Sequence, residues 1–250
     1  SGAGMNVESV KGECNFGQHE IAFKYSDALT TCDNHVIYKN GAKEIAAASG
    51  YALTFMAKPN QKEGNSSHIH LSFRGLKDEL VMADEKDSEH GLSEVGKQFI
   101  AGQLKHLREL SLLFAPNINS YKRFVPGSFA PTAIRWGRDN RTCALRLVGH
   151  GQSLRLENRV PGGDVNPYLA VSAIIAAGLD GIKNKLKLEA AFDGNAYDSD
   201  SPRVPATMLE AQTLWASSAW IKEVFGAQVQ AHYANMAQVE LDAFGKAVTD

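Results

Sequence analysis

The chain has 250 residues, enough for one large domain or two small ones. Its 44% apolar and 22% charged residues are typical of a soluble globular protein and argue against a disordered or fibrous chain. The formal net charge of −2 lacks a basic signature, so we expect no nucleic-acid partner. The longest apolar run, residues 169–179, is much shorter than the roughly 20 residues that span a bilayer. We therefore expect a buried core helix there and no membrane partner.

The cysteines indicate the cellular compartment, and the start of the chain indicates how much of the protein it represents. Cys14, Cys32 and Cys143 lie far apart and form no CxxC pair, which argues against a disulfide framework or a structural zinc site. Free thiols favour a reducing compartment, so we expect a cytoplasmic protein. Residues 1–4 are interpreted as an expression scar, and no secretory signal follows them. The start at Met5, directly before dense motif content, predicts a fragment of a longer protein.

Hydrophobic periodicity and turn residues predict the elements of the first half of the chain, with Gly50 and Pro59 as terminators. These elements are two extended segments within 6–25, a helix at 28–49, strands at 51–57 and 68–73 around a polar loop at 60–67, and an amphipathic helix at 89–114.

The second half places clustered strands before long helices, which predicts an α+β domain with a mostly antiparallel sheet packed with long helices. Its predicted elements are a loop at 115–131, strands at 132–136, 142–148 and 153–160, a helix from 166 to about 186, a polar loop at 193–205, and helices at 206–225 and 228–248.

Two glutamates flank the turn in the first extended pair. Glu13 and Glu20 would face opposite sides of one straight strand, but a turn at Gly17 brings them to one side on neighbouring strands. Two converging carboxylates suit a hard cation such as Mg²⁺ or Mn²⁺. The alternative is a pair of solvated surface glutamates.

Every second side chain of a strand points to the same face, and this groups polar residues on two predicted strands. His68 and His70 point to one face, where one could ligate a metal and the other contact an anion. The alternative is a buried or edge histidine pair. Arg155, Glu157 and Arg159 share a face in the same way. They form either a metal-binding carboxylate flanked by anion-binding guanidiniums or a surface ion-pair ladder.

Further arginines complete a set suited to phosphate chemistry. Arg123 lies in a loop, whereas Arg141 and Arg146 fall on opposite faces of a regular strand, so that a bulge must bring both to one site. Chance basic residues are the alternative. Together the carboxylates, histidines and arginines fit divalent metals that bridge nucleotide phosphates, with guanidiniums neutralising developing charge. The sequence contains neither a P-loop nor the kinase motif set.

The order of these motifs resembles the catalytic domain of the glutamine synthetase family over residues 8–248. The motifs are GECNFGQHE, TFMAKP, HIH after a glycine-containing loop, NSYKRFVPG, NRTCALR, RLENR and NPYLA. The resemblance implies this catalytic domain over residues 5–250. The family's small N-terminal domain is absent, as are the metal-binding glutamates that precede Glu13 in full-length members. In the family that domain of a neighbouring subunit completes each site, so we expect the fragment to be inactive and the full-length protein to be a ring-shaped homo-oligomer.

The resemblance also implies residue roles. Mg²⁺ or Mn²⁺ would occupy two or more sites, one held by Glu13 and Glu20 and another by His68 and Glu157. The residues implied to bind glutamate are Gly64, Arg123 and Arg159. Those implied to contact ATP are Glu8, His70, Ser72, Arg141, Arg146 and Arg155. Those implied to act in catalysis are Arg123, Arg141 and Arg159.

One departure from the family concerns the nitrogen compound that accepts the γ-glutamyl group. Glutamine synthetases carry a glutamate two residues after the glycine of VPG, where it helps to bind and deprotonate ammonium; here that position holds Phe129. An aromatic ring cannot accept a proton, although its face attracts a cation. We therefore expect an ATP-dependent ligase that joins glutamate to an organic amine through γ-glutamyl phosphate, with Phe129 in the substrate site. Phe129 could instead be loop packing, with another acid as the base.

Two other functions stay open. One is glutamine synthetase itself, with ammonium as the acceptor. The other is a catalytically silent structural protein of the same family. The intact set of Glu13, Glu20, His68 and Glu157 argues against the silent protein, which has no need to keep metal ligands.

Overall fold

A computed structural model describes residues 2–248. Ser1 of the predicted scar and residues 249–250 at the end of the predicted domain lie outside the described residues. The strands are β1 (Val7–Gly12), β2 (His19–Phe23), β3 (Ile69–Leu71), β4 (Ala133–Arg138), β5 (Cys143–Val148) and β6 (Arg155–Asn158). The helices are α1 (Ala28–Ala48), α2 (Glu94–Phe114), α3 (Ile118–Tyr121), α4 (Pro167–Lys183), α5 (Met208–Ser217), α6 (Ala219–Phe225) and α7 (Ala227–Lys246).

The predicted hairpin and first helix are confirmed. β1 and β2 pair antiparallel, with Lys11 opposite Glu20. Gly17 lies in the connecting turn with φ 66°, a left-handed conformation that glycine adopts without steric cost. Asp27 caps α1, because its carboxylate accepts a hydrogen bond from the Thr30 amide.

The second sheet has four strands in the order β3–β6–β5–β4. The β3–β6 and β5–β6 pairs are antiparallel and the β4–β5 pair is parallel, so the prediction of a mostly antiparallel sheet is confirmed. His70 is opposite Glu157, and Glu157 is opposite Arg146. Directly opposed residues of adjacent strands share a face, so these three side chains form one row across the sheet.

Long helices complete the core. α2 begins after Ser93, whose hydroxyl accepts a hydrogen bond from the Gly96 amide. α2 and α4 pack closely where Gly102 meets Gly181, since a Cβ built on Gly102 would lie 2.0 Å from the Ala177 carbonyl oxygen. Trp215 of α5 is fully buried and donates its indole N–H to the Gln230 carbonyl of α7. Within residues 2–248, no helix combines the length and apolar character needed to cross a bilayer.

Two predicted elements are wrong. The segment 51–57 is not a strand, because the bonds that reach its end come from a loop: the Asn65 amide donates to the Ala57 carbonyl and the Asn65 side chain to the Met56 carbonyl. The helix predicted at 206–225 is two helices. Ser218 between them has extended backbone, and its hydroxyl accepts a hydrogen bond from the Ile221 amide and so caps α6.

Other boundaries shift. α2 begins at Glu94 rather than residue 89, since Gly91 has φ 70° and Ser93 supplies the cap. The predicted loop at 115–131 contains α3, and the loop at 193–205 contains the 3-10 helix Ala196–Asp198. The α+β class itself is confirmed.

The contact between α2 and α4 yields a stability prediction. Gly102→Ala should lower the free energy of unfolding by about 1–3 kcal/mol, because the added methyl group forces two helix backbones apart. Gly41→Ala in α1 is the matched control; no atom lies within 4 Å of its built Cβ, so alanine should stabilise by about 0.5–1 kcal/mol. Urea unfolding monitored by circular dichroism measures both changes. Equal effects would contradict the proposed close contact.

Candidate active site

A buried carboxylate lies at the centre of the candidate site. Glu157 on β6 is 2% exposed. Its Oε1 lies 2.8 Å from Arg159 Nη1 and 3.2 Å from His68 Nδ1, and its Oε2 lies 3.1 Å from Arg146 Nη1. His70 on the neighbouring strand approaches the same carboxylate, with Nε2 3.6 Å from Oε1. The structure therefore brings both predicted histidines, the flanking Arg159 and the more distant Arg146 to Glu157, whereas the other flanking arginine, Arg155, contacts His70.

These contacts set the ionisation of the group. Burial by itself raises the pKa of Glu157, but the hydrogen bond with His68 and the charge of Arg159 outweigh it and hold the pKa well below its usual range. Burial also lowers the pKa of His68, and the nearby Glu157 opposes that change only in part. Glu157 is therefore ionised and His68 neutral near pH 7.

The His68 ring has one nitrogen to spare. Nδ1 lies against the Glu157 carboxylate, and a neutral imidazole donates its single N–H there. Nε2 is buried and has no hydrogen-bond partner within residues 2–248. A neutral imidazole whose other nitrogen donates to a carboxylate is the usual form of a histidine metal ligand. The donor chemistry of this pair therefore fits a divalent metal ion.

A second buried cation lies beside the loop at 60–67, which contains Gly64, a residue predicted to bind glutamate. Arg123 is almost fully buried, and its Nη1 donates to the Ser66 hydroxyl at 2.8 Å. Burial lowers the pKa of Arg123 to about 10, so the guanidinium stays charged at neutral pH. A Cβ built on Gly64 would lie 2.7 Å from Arg123 Cγ, and only glycine fits there. Two predicted glutamate-binding residues are thus in contact.

Buried donors without partners occur on both predicted glutamate-binding arginines. Nε of Arg123 and Nε of Arg159 are buried and have no acceptor within the described part of the chain. Unpaired buried donors are costly unless a ligand satisfies them. Both are charged N–H groups, which suit a carboxylate. The pair therefore fits an anionic substrate.

Arg159 also connects the central carboxylate to residues 125–131, the loop that contains Phe129 and is called the acceptor loop after its predicted role. Its Nη2 lies 3.4 Å from the Phe129 carbonyl oxygen. The Phe129 side chain is 57% exposed, so it does not pack in the core. The alternative in which Phe129 is loop packing and another acid is the base stays open.

The two hairpin glutamates share one cation. Lys11 Nζ lies 3.1 Å from Glu13 Oε1 and 3.3 Å from Glu20 Oε1. The hydrogen bond with Glu13, followed by the charge of Glu20, raises the pKa of Lys11. The two carboxylates thus converge on one positive group, as the turn at Gly17 predicts. Lys11 was not singled out in the sequence, although a lysine beside two glutamates in a hairpin is a readable signal.

Two further residues missed by the sequence analysis hold the hairpin against the loop at 60–67. Buried Asn15 donates from Nδ2 to the Glu63 carbonyl at 2.9 Å. Gln18 donates from Nε2 to the Gly64 carbonyl at 3.0 Å and to Asn65 Oδ1 at 2.8 Å. These bonds couple the pair of glutamates to the loop that packs on Arg123. The glycine-rich turn is the only signal in the sequence, and it does not identify the partner loop.

The residues predicted to contact ATP divide into two sets. Arg146, His70 and Arg155 adjoin the Glu157 row, and Arg155 Nε lies 3.3 Å from His70 Nδ1. The others are exposed and have no ion pair within residues 2–248: Glu8 on β1, Ser72 after β3 and Arg141 between β4 and β5. Arg141 precedes β5, so the bulge considered for Arg141 and Arg146 is not what positions it.

The predicted metal ligands form two pairs in this structure. Glu13 and Glu20 meet through Lys11, and His68 meets Glu157. Across residues 2–248, no three His, Cys, Asp or Glu side chains cluster closely enough to hold one ion. The metal roles therefore stay predictions.

Comparison with known proteins supports the family resemblance. A family model described as "Glutamine synthetase, catalytic domain" matches residues 1–250. A gamma-glutamylethanolamide synthetase of Streptomyces coelicolor is 62% identical over 250 residues, which are 100% of this chain and 53% of that protein. A glutamate–isopropylamine ligase of Pseudomonas sp is 42% identical over 245 residues, covering 96% of this chain and 53% of that protein.

A solved structure agrees with these matches. The GmaS/ADP complex superimposes on 100% of this chain and 59% of its own chain, with 32% sequence identity and a TM-score of 0.92. The chain spans about half the length of the curated relatives it matches. These findings confirm the resemblance that the motifs predicted.

The buried position of Glu157 yields a prediction. Glu157→Gln should lower the free energy of unfolding at pH 7 by about 2–4 kcal/mol, because it leaves the buried Arg159 guanidinium without its counter-ion and leaves Arg146 with Asp139 alone. Glu189→Gln is the control: Glu189 pairs with Arg135 at 3.0 Å but is 41% exposed, and its loss should cost about 1 kcal/mol or less. Guanidinium unfolding of both variants measures the difference. An equal, small loss at both sites would contradict the role of Glu157 as the buried counter-ion.

Proposed function

Because this chain belongs to the glutamine synthetase family, we propose that it is the catalytic domain, over residues 5–250, of an ATP-dependent ligase. The ligase joins the γ-carboxylate of glutamate to an organic amine and forms a γ-glutamyl amide. The observation that carries this proposal is Phe129 on the acceptor loop, where an apolar ring replaces the carboxylate that ammonium requires. The names of the two similar proteins, a gamma-glutamylethanolamide synthetase and a glutamate–isopropylamine ligase, agree with an alkyl amine as the acceptor.

The proposed reaction has two steps. An oxygen of the glutamate γ-carboxylate attacks the terminal phosphorus of ATP, forming γ-glutamyl phosphate and releasing ADP. The neutral amine nitrogen then attacks the acyl carbon, forms the C–N bond, expels phosphate and releases one proton. Negative charge develops on the transferring phosphoryl group, and fixed cations are the main means of stabilising it.

The arginines take separate roles in this scheme. Arg123 and Arg159 bind the carboxylates of glutamate, which would satisfy their unpaired Nε donors. Arg141, Arg146 and Arg155 bind the phosphates of ATP, and His70, Ser72 and Glu8 make further contacts with the nucleotide. Arg146 is already paired with Glu157, so its guanidinium is held in place before substrate binds.

The proposed metal ions are Mg²⁺ or Mn²⁺. Glu13 and Glu20 would hold one ion, with the Lys11 ammonium as the cation that a metal would replace between them. We propose His68 and Glu157 for another: His68 offers Nε2, whereas Glu157 would have to turn its carboxylate away from His68 Nδ1 to bind the same ion. Bound there, divalent ions neutralise phosphate oxygens.

Glutamine synthetase with ammonium as acceptor is the second candidate, since the family as a whole supports it. A silent structural protein is disfavoured, because the buried cluster around Glu157 costs desolvation that a purely structural core avoids. We further propose a cytoplasmic, ring-shaped homo-oligomer for the full-length protein; the free thiols of Cys14, Cys32 and Cys143 agree with a reducing compartment.

The acceptor assignment can be tested with an amine panel. The full-length protein should show a higher kcat/KM for at least one of ethanolamine, putrescine, spermine or isopropylamine than for ammonium, at saturating glutamate and ATP. Burying an alkyl chain against Phe129 contributes about 1.5–3 kcal/mol, which corresponds to roughly tenfold or more. Phosphate release and mass spectrometry of the amide measure the ranking. Ammonium as the best acceptor would restore the glutamine synthetase assignment.

Variants make this test specific to the position. Phe129→Glu should raise kcat/KM for ammonium relative to the best amine by about tenfold, because the carboxylate pairs with the cation and accepts its proton. Val125→Glu places the same charge on the same loop at another exposed position and should leave the ratio unchanged. If both variants shift the ratio equally, the effect is general electrostatics and Phe129 is not the acceptor determinant.

The isolated domain should fold yet lack turnover. Residues 2–248 contain a buried core of their own, but we propose that the small domain of a neighbouring subunit completes the site and excludes water. Amide formation should be at least about a hundredfold slower than in the full-length protein, while thermal unfolding stays cooperative. Comparable turnover by the domain alone would contradict this view of the site.

A further inference from the structure

The acceptor loop has an unfavourable backbone conformation. Phe129 has φ 62°, in the left-handed region that a bulky side chain rarely adopts, and Gly127 has φ 78°. Such a conformation persists only where surrounding contacts fix it. The position of the Phe129 ring therefore depends on whatever holds the loop.

Contacts within the loop fix its first half. The Ser128 hydroxyl lies 2.6 Å from the Val125 carbonyl and 3.0 Å from the Arg123 carbonyl, and the Ser128 amide donates to Val125 at 3.1 Å. These bonds end at Ser128. Within residues 2–248, the Phe129 carbonyl has only the long contact of 3.4 Å from Arg159.

The second half is held from a distant part of the chain. Tyr197 in the 3-10 helix Ala196–Asp198 donates its hydroxyl to the Ala130 carbonyl at 2.9 Å. Ala130 is buried and directly follows Phe129. Removing this bond would leave a buried carbonyl unpaired and release the loop beside its strained residue.

Tyr197 is itself held firmly. Arg203 donates to the Tyr197 carbonyl at 3.1 Å, to the Ala196 carbonyl at 3.3 Å and to the Thr132 hydroxyl at 3.2 Å. The Ala196 amide donates to the Thr142 hydroxyl at 2.9 Å. The segment that carries Tyr197 is thus tied to the residues that follow the acceptor loop and to the start of β5.

We propose that Tyr197 is a positioning residue that sets acceptor affinity by holding the Phe129 loop in its strained conformation. The inference rests on the proposed function for the identity of the acceptor, an alkyl amine. The Tyr197 hydroxyl donates a hydrogen bond to the Ala130 carbonyl, and Tyr197 acts through this bond and not by contact with the amine.

The phenol is suited to this role. Burial raises the pKa of Tyr197, and the charges of Arg159 and Arg123 lower it only in part. The hydroxyl therefore keeps its proton across the neutral range and remains a donor.

Tyr197→Phe removes only the hydroxyl and keeps the half-buried ring. In the full-length protein it should raise KM for the best amine about five- to tenfold, with KM for glutamate and ATP and kcat within about twofold. Tyr233→Phe is the matched control. Tyr233 on α7 packs edge-on against Trp215, and its hydroxyl has no hydrogen-bond partner in residues 2–248, so every constant should stay unchanged.

A second measurement does not depend on turnover. Hydrogen–deuterium exchange of a peptide covering residues 125–131 should be at least about fivefold faster in Tyr197→Phe than in wild type and unchanged in Tyr233→Phe. Faster exchange together with a selective rise in amine KM supports the proposal. Unchanged exchange, or an equal rise in KM for all three substrates, would overturn it.

The two proposals fail separately. If the wild type prefers ammonium to every amine, the acceptor class is wrong, and the KM for ammonium then replaces the amine KM in the same comparison. Exchange that rises in Tyr197→Phe while the KM of the preferred acceptor stays constant shows that the bond holds the loop without setting affinity, and it overturns the positioning role alone.

Discussion

The ionised carboxylate of Glu157, buried on the second strand of the four-stranded sheet, is the interaction on which the rest of the site depends. Burying a carboxylate is unfavourable unless cations and hydrogen bonds compensate, and here Arg146, Arg159 and His68 do so together. The same contacts place two guanidiniums and one free imidazole nitrogen around a common point. A single desolvated charge thus orients groups from three strand segments, and this preorganisation is what phosphoryl transfer requires.

The site is assembled from segments that are far apart in the chain, and polar side chains join them. Asn15 and Gln18 tie the hairpin to the loop that contains Gly64, and Gly64 leaves room for Arg123. Arg159 extends the central cluster to the acceptor loop. Under the proposed function, the central cluster serves phosphoryl transfer and the loop around Phe129 selects the acceptor.

Sequence reasoning predicted the fold class, the hairpin, most helices and the pairing of site residues on one sheet face. These features depend on local rules: periodicity, caps, turn residues and alternation along a strand. The rules failed at 51–57, where an apolar extended segment has no neighbouring strand, and at Ser218, where one apparent helix is two. Whether an extended segment joins a sheet depends on a partner that its own residues do not specify.

By itself, the sequence determined the chemistry available: two hairpin glutamates, a histidine pair, the alternating Arg–Glu–Arg and an aromatic residue, Phe129, two positions after the glycine of VPG. The motif order determined the family. Only the tertiary structure decided which groups meet. It placed Lys11 between the hairpin carboxylates, left His68 Nε2 without a partner and brought Tyr197 to the acceptor loop. The reason is physical: contacts between residues distant in the chain follow from packing of the whole domain, whereas side-chain chemistry and backbone periodicity are local.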